Sequence, residues 1–233
     1  MTKNIIFDMD DTLISSGHTF DIPRLRCAII VASELGDLCP WPEEMLIRED
    51  YIRQDLMHQV GPISNAIQSQ AWILYYKELC KNIGREINPN IVSALGVTAA
   101  QWLQREYHMY EGLSEIIAGL NYNKVVGTLG NDDIQKFKYD SANIAQCIPK
   151  LHVMSNKTKD DFQAILDAEG WLASETVMVG DNPKLDIQPC VELGMDAFHV
   201  VHPHAIPFQT DKRKYPDRTV FFISKAHEIA NYL

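Results

Sequence analysis

The residues most able to do chemistry lie near the start of the chain, in the run Asp8-Met9-Asp10-Asp11-Thr12. They follow Ile5, Ile6 and Phe7, an apolar run that predicts a short buried strand. In open parallel α/β sheets, ligands bind at the carboxyl ends of the strands. The pattern therefore predicts that these carboxylates lie at the carboxyl edge of the sheet, where proteins of this fold class have their active sites.

Asp8 and Asp10 are two residues apart, and in extended backbone such residues point to the same side. Two neighbouring buried carboxylates repel each other and raise a pKa unless a cation accompanies them. Mg²⁺, which prefers oxygen ligands, would relieve this repulsion. The alternative interpretation is a solvated acidic turn after a strand, and the pair alone does not separate the two.

Length and composition limit the classes of function. The chain has 233 residues with 46% hydrophobic and 22% charged side chains, enough to bury the core of one large domain or two modest ones. Its formal net charge is −10 and it has no basic stripe, which argues against a nucleic-acid partner. A phosphorylated substrate would therefore need a locally positive site. The sequence does not predict an oligomeric state.

The cysteines and the apolar runs indicate the cellular setting. Five cysteines are scattered without a C-x-x-C pair, which favours reduced thiols in a cytoplasmic protein over disulfides or a zinc site. The first residues lead directly into the predicted strand, and we expect no signal peptide. No apolar run reaches the roughly 18 residues that a membrane span needs, so no membrane association is expected.

Strand and helix patterns alternate in the second half of the chain, which predicts an α/β fold with a parallel sheet. The predicted strands are 124–128, 151–154, 176–181, 196–201 and 219–223. The predicted helices are 112–120, 132–140, 160–170 and 187–194, with a last one ending at Leu233.

Between the acidic strand end and this alternating region lies a stretch with only helical patterns. A polar break at residues 15–18 precedes helices predicted from about Pro23 to Gly36, 42–59 and 64–81, and a helical pair over 91–110. We therefore predict a catalytic core of residues 1–15 and 112–233, and a helical insertion of residues 16–111 that acts as a lid. Trp41, Trp72 and Trp102 are expected to pack in the core of this insertion, with a place for one of them on the substrate face as the alternative.

Further polar residues fall at predicted strand ends or in the loops beside them. They are Thr128, Lys157, Asp181 and Asp186. A separate group, His199, His202 and His204, lies at a strand end and in a loop with Pro203, without an accompanying ligand set. We expect these histidines to be solvated.

With these residues in order, the sequence resembles the haloacid dehalogenase-like superfamily of hydrolases. Residues 8–12 resemble its first motif, D-x-D-x-T. Thr128 resembles the hydroxyl residue of the second motif, Lys157 the third-motif lysine, and Gly180-Asp181 through Asp186 the fourth motif, G-D-x-x-x-x-D. The matches span the chain from Ile5 to Val200.

The resemblance implies a Rossmann-like three-layer core with an inserted helical cap, and a Mg²⁺-dependent phosphatase acting on a small phosphorylated metabolite. It implies that Asp8 is the nucleophile and Asp10 the general acid and base. Thr128 and Lys157 are then phosphate-binding, and Asp8, Asp10 and Asp181 hold the metal. Thr12, Asn182 and Asp186 are implied as supporting residues.

The chemistry is consistent with these roles, because a carboxylate can attack phosphorus and form an aspartyl-phosphate. A leaving alkoxide needs a proton, which Asp10 can supply and later take from the hydrolytic water. Members that remove halide lack this second aspartate, since a halide leaves without a proton. A phosphomutase and a non-catalytic binding or regulatory member remain as alternatives.

The sequence departs from the family pattern at three places. Asp11 replaces the common glycine of the first motif, and Leu129-Gly130-Asn131 follows Thr128 where an asparagine is usual. Lys159 competes with Lys157 as the third-motif lysine, although the spacing to Phe162 favours Lys157.

Overall fold

The computed structural model describes residues 3–61, 64–101, 106–201 and 220–233. It divides into two compact units, one of Met1–Ser16 and Glu106–Leu233 and the other of Gly17–Arg105. We call them the core unit and the helical unit. Among the described helices, none combines the length and the apolar character needed to cross a bilayer.

The core unit holds a six-stranded sheet in which every described pair of neighbouring strands is parallel. The strands are β1 (Asn4–Phe7), β2 (Asn123–Leu129), β3 (Leu151–Met154), β4 (Thr176–Gly180), β5 (Asp196–Val200) and β6 (Val220–Ile223). Their order in the sheet is β3-β2-β1-β4-β5-β6. The first strand of the chain therefore lies inside the sheet, with β2 on one side and β4 on the other.

Successive residues of the central strands pack on opposite faces of this sheet, as the strand period of two requires. Ile5 and Phe7 belong to one hydrophobic cluster, whereas Ile6 belongs to the other. The first face is covered by residues of α5 (Leu113–Gly119), α6 (Asp132–Ser141) and the C-terminal 3₁₀ segment Ala226–Asn231. The second face is covered by α7 (Lys159–Glu169) and α8 (Gln188–Leu193). The result is the predicted three-layer α/β fold.

The helical unit contains four α-helices, within the residues described, around a separate hydrophobic cluster. They are α1 (Gly17–Leu35), α2 (Pro42–Val60), α3 (Asn65–Asn82) and α4 (Pro89–Ala99). Helix α1 begins at Gly17 inside the predicted polar break, and of the helical pair expected over 91–110 only the first helix is found among the described residues. That helix is α4, residues 102–105 lie outside the described residues, and residues 106–108 are not helical.

The second boundary between the units differs from the predicted one. Tyr107 is buried in the cluster of the core unit, and Met109 forms a β-bridge with Ile14. The amide of Tyr110 donates to the carbonyl of Leu13, with N and O 3.0 Å apart. Residues 106–111 therefore belong to the core unit, because the returning chain pairs with the segment that follows β1.

The tryptophans of the helical unit differ in burial. Trp72 is fully buried in the cluster of this unit, as expected. Trp41 is 77% exposed, so the prediction that it packs in a core is wrong. It precedes Pro42 at the start of α2 and has extended backbone, which lies outside the buried face of the helix. Trp102 lies outside the described residues.

Candidate active site

The candidate active site lies at the carboxyl ends of β1 and β4. The chain first adds β2 and β3 on one side of β1, and then crosses to add β4 and β5 on the other. Ligands of open α/β sheets bind at such a point of reversal. Phe7 pairs with Val179, so Asp8 and Asp181 leave neighbouring strands at almost the same level.

Three carboxylates meet at this point. Asp8, Asp181 and Asp186 are buried, and each offers an oxygen within 4.8 Å of the oxygens of the other two. Asp8 and Asp181 follow adjacent strands, and Asp186 comes from the turn after β4. The three residues were expected at one site, and the structure brings them together.

Lys157 lies between two of these carboxylates. Its Nζ is 2.5 Å from Oδ1 of Asp8 and 2.5 Å from Oδ1 of Asp186. The residue follows β3, has a φ of 51° and is buried. A non-glycine residue with this left-handed backbone is strained, and such strain is often found at functional sites. Lys159, the alternative from the sequence, is exposed at the start of α7.

The charges of this group are unbalanced, because three buried acids face one lysine. Burial, together with the Asp186 carboxylate, raises the pKa of Asp8 to about 7, although Lys157 opposes the rise. Burial, followed by the charges of Asp8 and Asp186, raises the pKa of Asp181 to about 9. Burial alone would lower the pKa of Lys157, but the two carboxylates raise it above its usual value. The site without a further cation therefore favours protonated carboxyl groups.

We expect Asp181→Asn to raise the melting temperature of the metal-free protein by about 5 °C at pH 8. The folded carboxyl has a raised pKa, so its destabilising effect is absent below about pH 4 and grows as the pH rises towards 9. The gain from the substitution should grow over the same window, as measured by thermal unfolding in buffers containing a chelator. Added Mg²⁺ should stabilise the wild type but not the variant. A variant less stable than the wild type at every pH would contradict this expectation.

The turn after β1 explains the spacing of the first motif. The carbonyl of Met9 accepts the amides of Thr12, Leu13 and Ile14, which closes the chain into a tight turn. Asp11 has a φ of 56°, the region that glycine favours and that aspartate is among the few other residues to tolerate. Its Oδ1 also accepts the amide of Ser16 at 2.9 Å. Aspartate can therefore stand where the family has a glycine.

Thr12 contacts the Asp8 carboxylate. Its hydroxyl donates to Oδ2 of Asp8 over 3.4 Å, and its side chain is buried. The contact is long, so Thr12 orients the Asp8 carboxylate only weakly. Lys157 holds the other oxygen more closely.

The Asp10 carboxylate is not among the described acids that meet within 4.8 Å, and its role as a metal ligand stays a prediction. Strand β1 ends at Phe7, and Asp10 forms an isolated β-bridge with Ile14 beyond it. Oδ1 and Oδ2 of Asp10 instead lie 2.8 and 3.0 Å from Nζ of Lys138. Gln135 donates to Oδ2 at 3.2 Å. No motif in the sequence marks Lys138 or Gln135.

The fourth motif is built around a close contact between β4 and the turn that follows. A π-helical turn, Pro183–Ile187, places Asp186 under Gly180, where an added Cβ would lie 2.6 Å from the Asp186 Cγ. Oδ2 of Asp186 accepts the amide of Asn182 at 2.9 Å. The side chain of Asn182 caps the turn by accepting the amides of Lys184 and Leu185. Asn182 therefore holds the turn, and Asp186 holds Lys157.

Thr128 is buried near the end of β2. Since Phe7 pairs with Val126, Thr128 lies two residues further along the neighbouring strand, at the carboxyl edge. The Asn131 side chain caps α6 by accepting the amides of Asp133 and Ile134. This cap uses Oδ1 of Asn131, and Thr128 stays the predicted phosphate-binding residue at this edge.

His199 was expected to be solvated, and this expectation is wrong. It is buried in β5, and its Nε2 lies 2.9 Å from the carbonyl oxygen of Asp181. The contact ties the backbone of Asp181 to the next strand of the sheet. His202 and His204 lie outside the described residues.

The donor set fits a Mg²⁺ ion. The three neighbouring carboxylates offer hard oxygen atoms, and buried acids of this kind gain most from a divalent cation. Both oxygens of Asp186 already accept hydrogen bonds from Lys157 and Asn182. Asp8 also accepts hydrogen bonds at both oxygens, from Lys157 and Thr12, so these bonds do not separate the acids. Asp8 and Asp181 remain the predicted direct ligands, with Asp186 as a predicted supporting residue.

The parallel sheet, its order and the acids at its switch point define a Rossmann-like α/β protein with a carboxylate centre. The chain belongs to the haloacid dehalogenase-like hydrolase family, whose model matches residues 2–194. A comparison with curated protein sequences found no match.

Solved structures of this family share the fold. A haloacid dehalogenase-like hydrolase from Xanthomonas campestris is 15% identical, with a TM-score of 0.77 over 99% of this chain and 90% of its own. A 2-haloacid dehalogenase from Pseudomonas syringae is 19% identical, with a TM-score of 0.62 over 99% of this chain and 97% of its own. YfnB from Bacillus subtilis, assigned as a HAD-hydrolase and bound to magnesium, is 16% identical, with a TM-score of 0.62 over 100% and 98%.

Proposed function

We propose that the protein is a Mg²⁺-dependent phosphatase that hydrolyses a small phosphomonoester through an aspartyl-phosphate on Asp8. The observation that carries the proposal is the buried group of Asp8, Asp181, Asp186 and Lys157 at the switch point of the sheet. Three acids with one lysine suit a site that binds a divalent cation together with an anionic substrate.

Asp10 favours phosphoryl transfer over halide displacement. A halide leaves as a stable anion, whereas the alkoxide of a phosphate ester needs a proton from a nearby acid. Asp10 is only partly buried, with 26% of its side chain exposed, and it follows the nucleophile in a tight turn. Dehalogenation would not need a proton donor at this position.

The proposed reaction has two steps. Oδ2 of Asp8 attacks phosphorus, the bond from phosphorus to the leaving oxygen breaks, and the Asp10 carboxyl group gives its proton to that oxygen. Asp10 then takes a proton from a water molecule, which attacks phosphorus and releases phosphate and the Asp8 carboxylate. Lys157 and the Thr128 hydroxyl are proposed to bind the phosphoryl oxygens. Mg²⁺ held by Asp8 and Asp181 would supply positive charge against the same oxygens.

Substrate choice is proposed to depend on the helical unit, because this unit is inserted directly after the catalytic turn of the chain. A cytoplasmic location is proposed as well, in keeping with five cysteines that are all free. A small phosphorylated metabolite is the proposed partner.

A panel of phosphorylated metabolites, assayed for released phosphate with Mg²⁺ or with a chelator, tests the proposal. We expect at least one substrate to be turned over with Mg²⁺ and not with the chelator. A product that keeps its phosphate on another hydroxyl would indicate a phosphomutase. Release of halide from a 2-haloacid would indicate a dehalogenase, and a panel without any turnover would favour a non-catalytic role.

A further inference from the structure

We propose that Lys138 and Gln135 are positioning residues that hold the Asp10 carboxyl group in line for proton transfer to the leaving group. The assignment rests on the proposed phosphatase function. It concerns two residues of α6, outside the four sequence motifs of the family.

The contacts to Asp10 come from both residues. Lys138 bonds both carboxylate oxygens, at 2.8 and 3.0 Å, and Gln135 bonds Oδ2 at 3.2 Å. The Gln135 amide nitrogen also donates to the carbonyl of Leu129 at 2.5 Å, so both of its hydrogens are used. Rotation of the Asp10 side chain would have to break several of these bonds together.

The two residues are themselves fixed by their surroundings. They lie three positions apart and are both buried, on the same face of α6. Gly130 has a φ of 146°, and a Cβ there would lie 2.6 Å from the Gln135 amide nitrogen. The chain therefore keeps a glycine where the Gln135 side chain passes.

Lys138 is also contacted by Tyr107, which lies in residues 106–111 of the core unit. Its Nζ lies 5.7 Å from the centre of the Tyr107 ring, within the range of a cation–π contact. The amide of Tyr107 donates to Oγ of Ser141 at the end of α6. Residues 106–111, which were predicted to belong to the insertion, thus help to fix Lys138, which holds Asp10.

The orientation of the Asp10 carboxyl group should affect the rate most when the leaving group is a strong base. The Asp10 carboxyl group gives its proton as the bond from phosphorus to oxygen breaks, and a poorly aligned donor loses this contribution. A phenol leaving group has a pKa of about 10 and gains from the proton, whereas dinitrophenolate is a far weaker base and leaves without it. A residue that acts only through Asp10 should therefore matter for the first substrate and not for the second.

The test compares kcat/KM for phenyl phosphate and 2,4-dinitrophenyl phosphate, because this ratio reports the steps up to the first cleavage. Lys138→Met should lower kcat/KM for phenyl phosphate by about 10- to 100-fold, and change that for dinitrophenyl phosphate by less than about 3-fold. Lys136→Met is the matched control, because Lys136 is an exposed lysine of the same helix that pairs with Asp140. In an Asp10→Asn background, Lys138→Met should have no further selective effect.

The outcomes separate this inference from the proposed function. Equal losses on both substrates would overturn the inference, since they indicate a phosphate-binding or purely structural role for Lys138. An additive loss in the Asp10→Asn background would overturn it too. A wild-type protein that hydrolyses neither aryl phosphate nor any member of the metabolite panel in Mg²⁺ would overturn the proposed function, and the positioning role with it.

Discussion

Asp8→Asn is expected to lower the turnover of an aryl phosphate by about 10⁴-fold or more, while the fold persists. An amide has no anionic oxygen to attack phosphorus, so the covalent route is lost and not merely slowed. The substitution also removes one of three crowded carboxylates, and Lys157 keeps its contact with Asp186. Stability should therefore not fall.

The measurement is phosphate release with Mg²⁺, together with thermal unfolding of both proteins. Acid quenching of the wild type during turnover should trap a phosphorylated peptide that contains Asp8 and is absent from the variant. Asp160→Asn is the control, because Asp160 is an exposed carboxylate in the first turn of α7. Retention of more than about a tenth of the activity by Asp8→Asn would show that another group attacks phosphorus.

Lys157→Met is expected to lower the free energy of unfolding by about 3–5 kcal/mol and to remove activity. The lysine is buried, and its Nζ is the cation that contacts both Asp8 and Asp186 at 2.5 Å. Without it, these carboxylates lie in a low-dielectric site with only hydrogen bonds to oppose their repulsion. Lys157 lowers the pKa of Asp8, which is about 7 in its presence, so this pKa rises further without the lysine. The loss of stability should therefore grow as the pH rises above 7, because protonation of Asp8 relieves the repulsion at lower pH.

Urea unfolding at pH 8 in the presence of a chelator measures this effect. Lys159→Met is the matched control, since Lys159 is two residues away and exposed, and its loss should change stability by less than about 0.5 kcal/mol. Equal effects of the two substitutions would contradict the central position of Lys157. Loss of activity in Lys159→Met alone would assign the third-motif role to Lys159.

The sheet and its acidic centre could be predicted because their signals are local. Short apolar runs that end in Asp8 and Asp181 indicate parallel strands, and the carboxyl ends of such strands meet at one edge. The spacing of Asp186 after Gly180 likewise reflects a turn formed by neighbouring residues. Patterns of this kind lie within a few residues and need no knowledge of distant contacts.

The partners of Asp10 could not be predicted in the same way. Lys138 lies on a helix far along the chain, and its contact with Asp10 depends on how α6 packs beside the turn after β1. An isolated lysine in an amphipathic helix normally indicates a solvated face. The burial of His199 depends in the same manner on its place in β5, beside the end of β4. Tertiary packing decides these contacts, and no motif marks them.

The absence of a side chain at Gly180 limits which substitutions this position can accept. Even a methyl group there would overlap the Asp186 side chain, which in turn holds the lysine between two acids. A randomised library at this codon, selected for activity, should return glycine almost alone, whereas the neighbouring exposed turn position Lys184 should accept most residues. A residue without a side chain is thus expected to tolerate far fewer replacements than the exposed residue four positions further on.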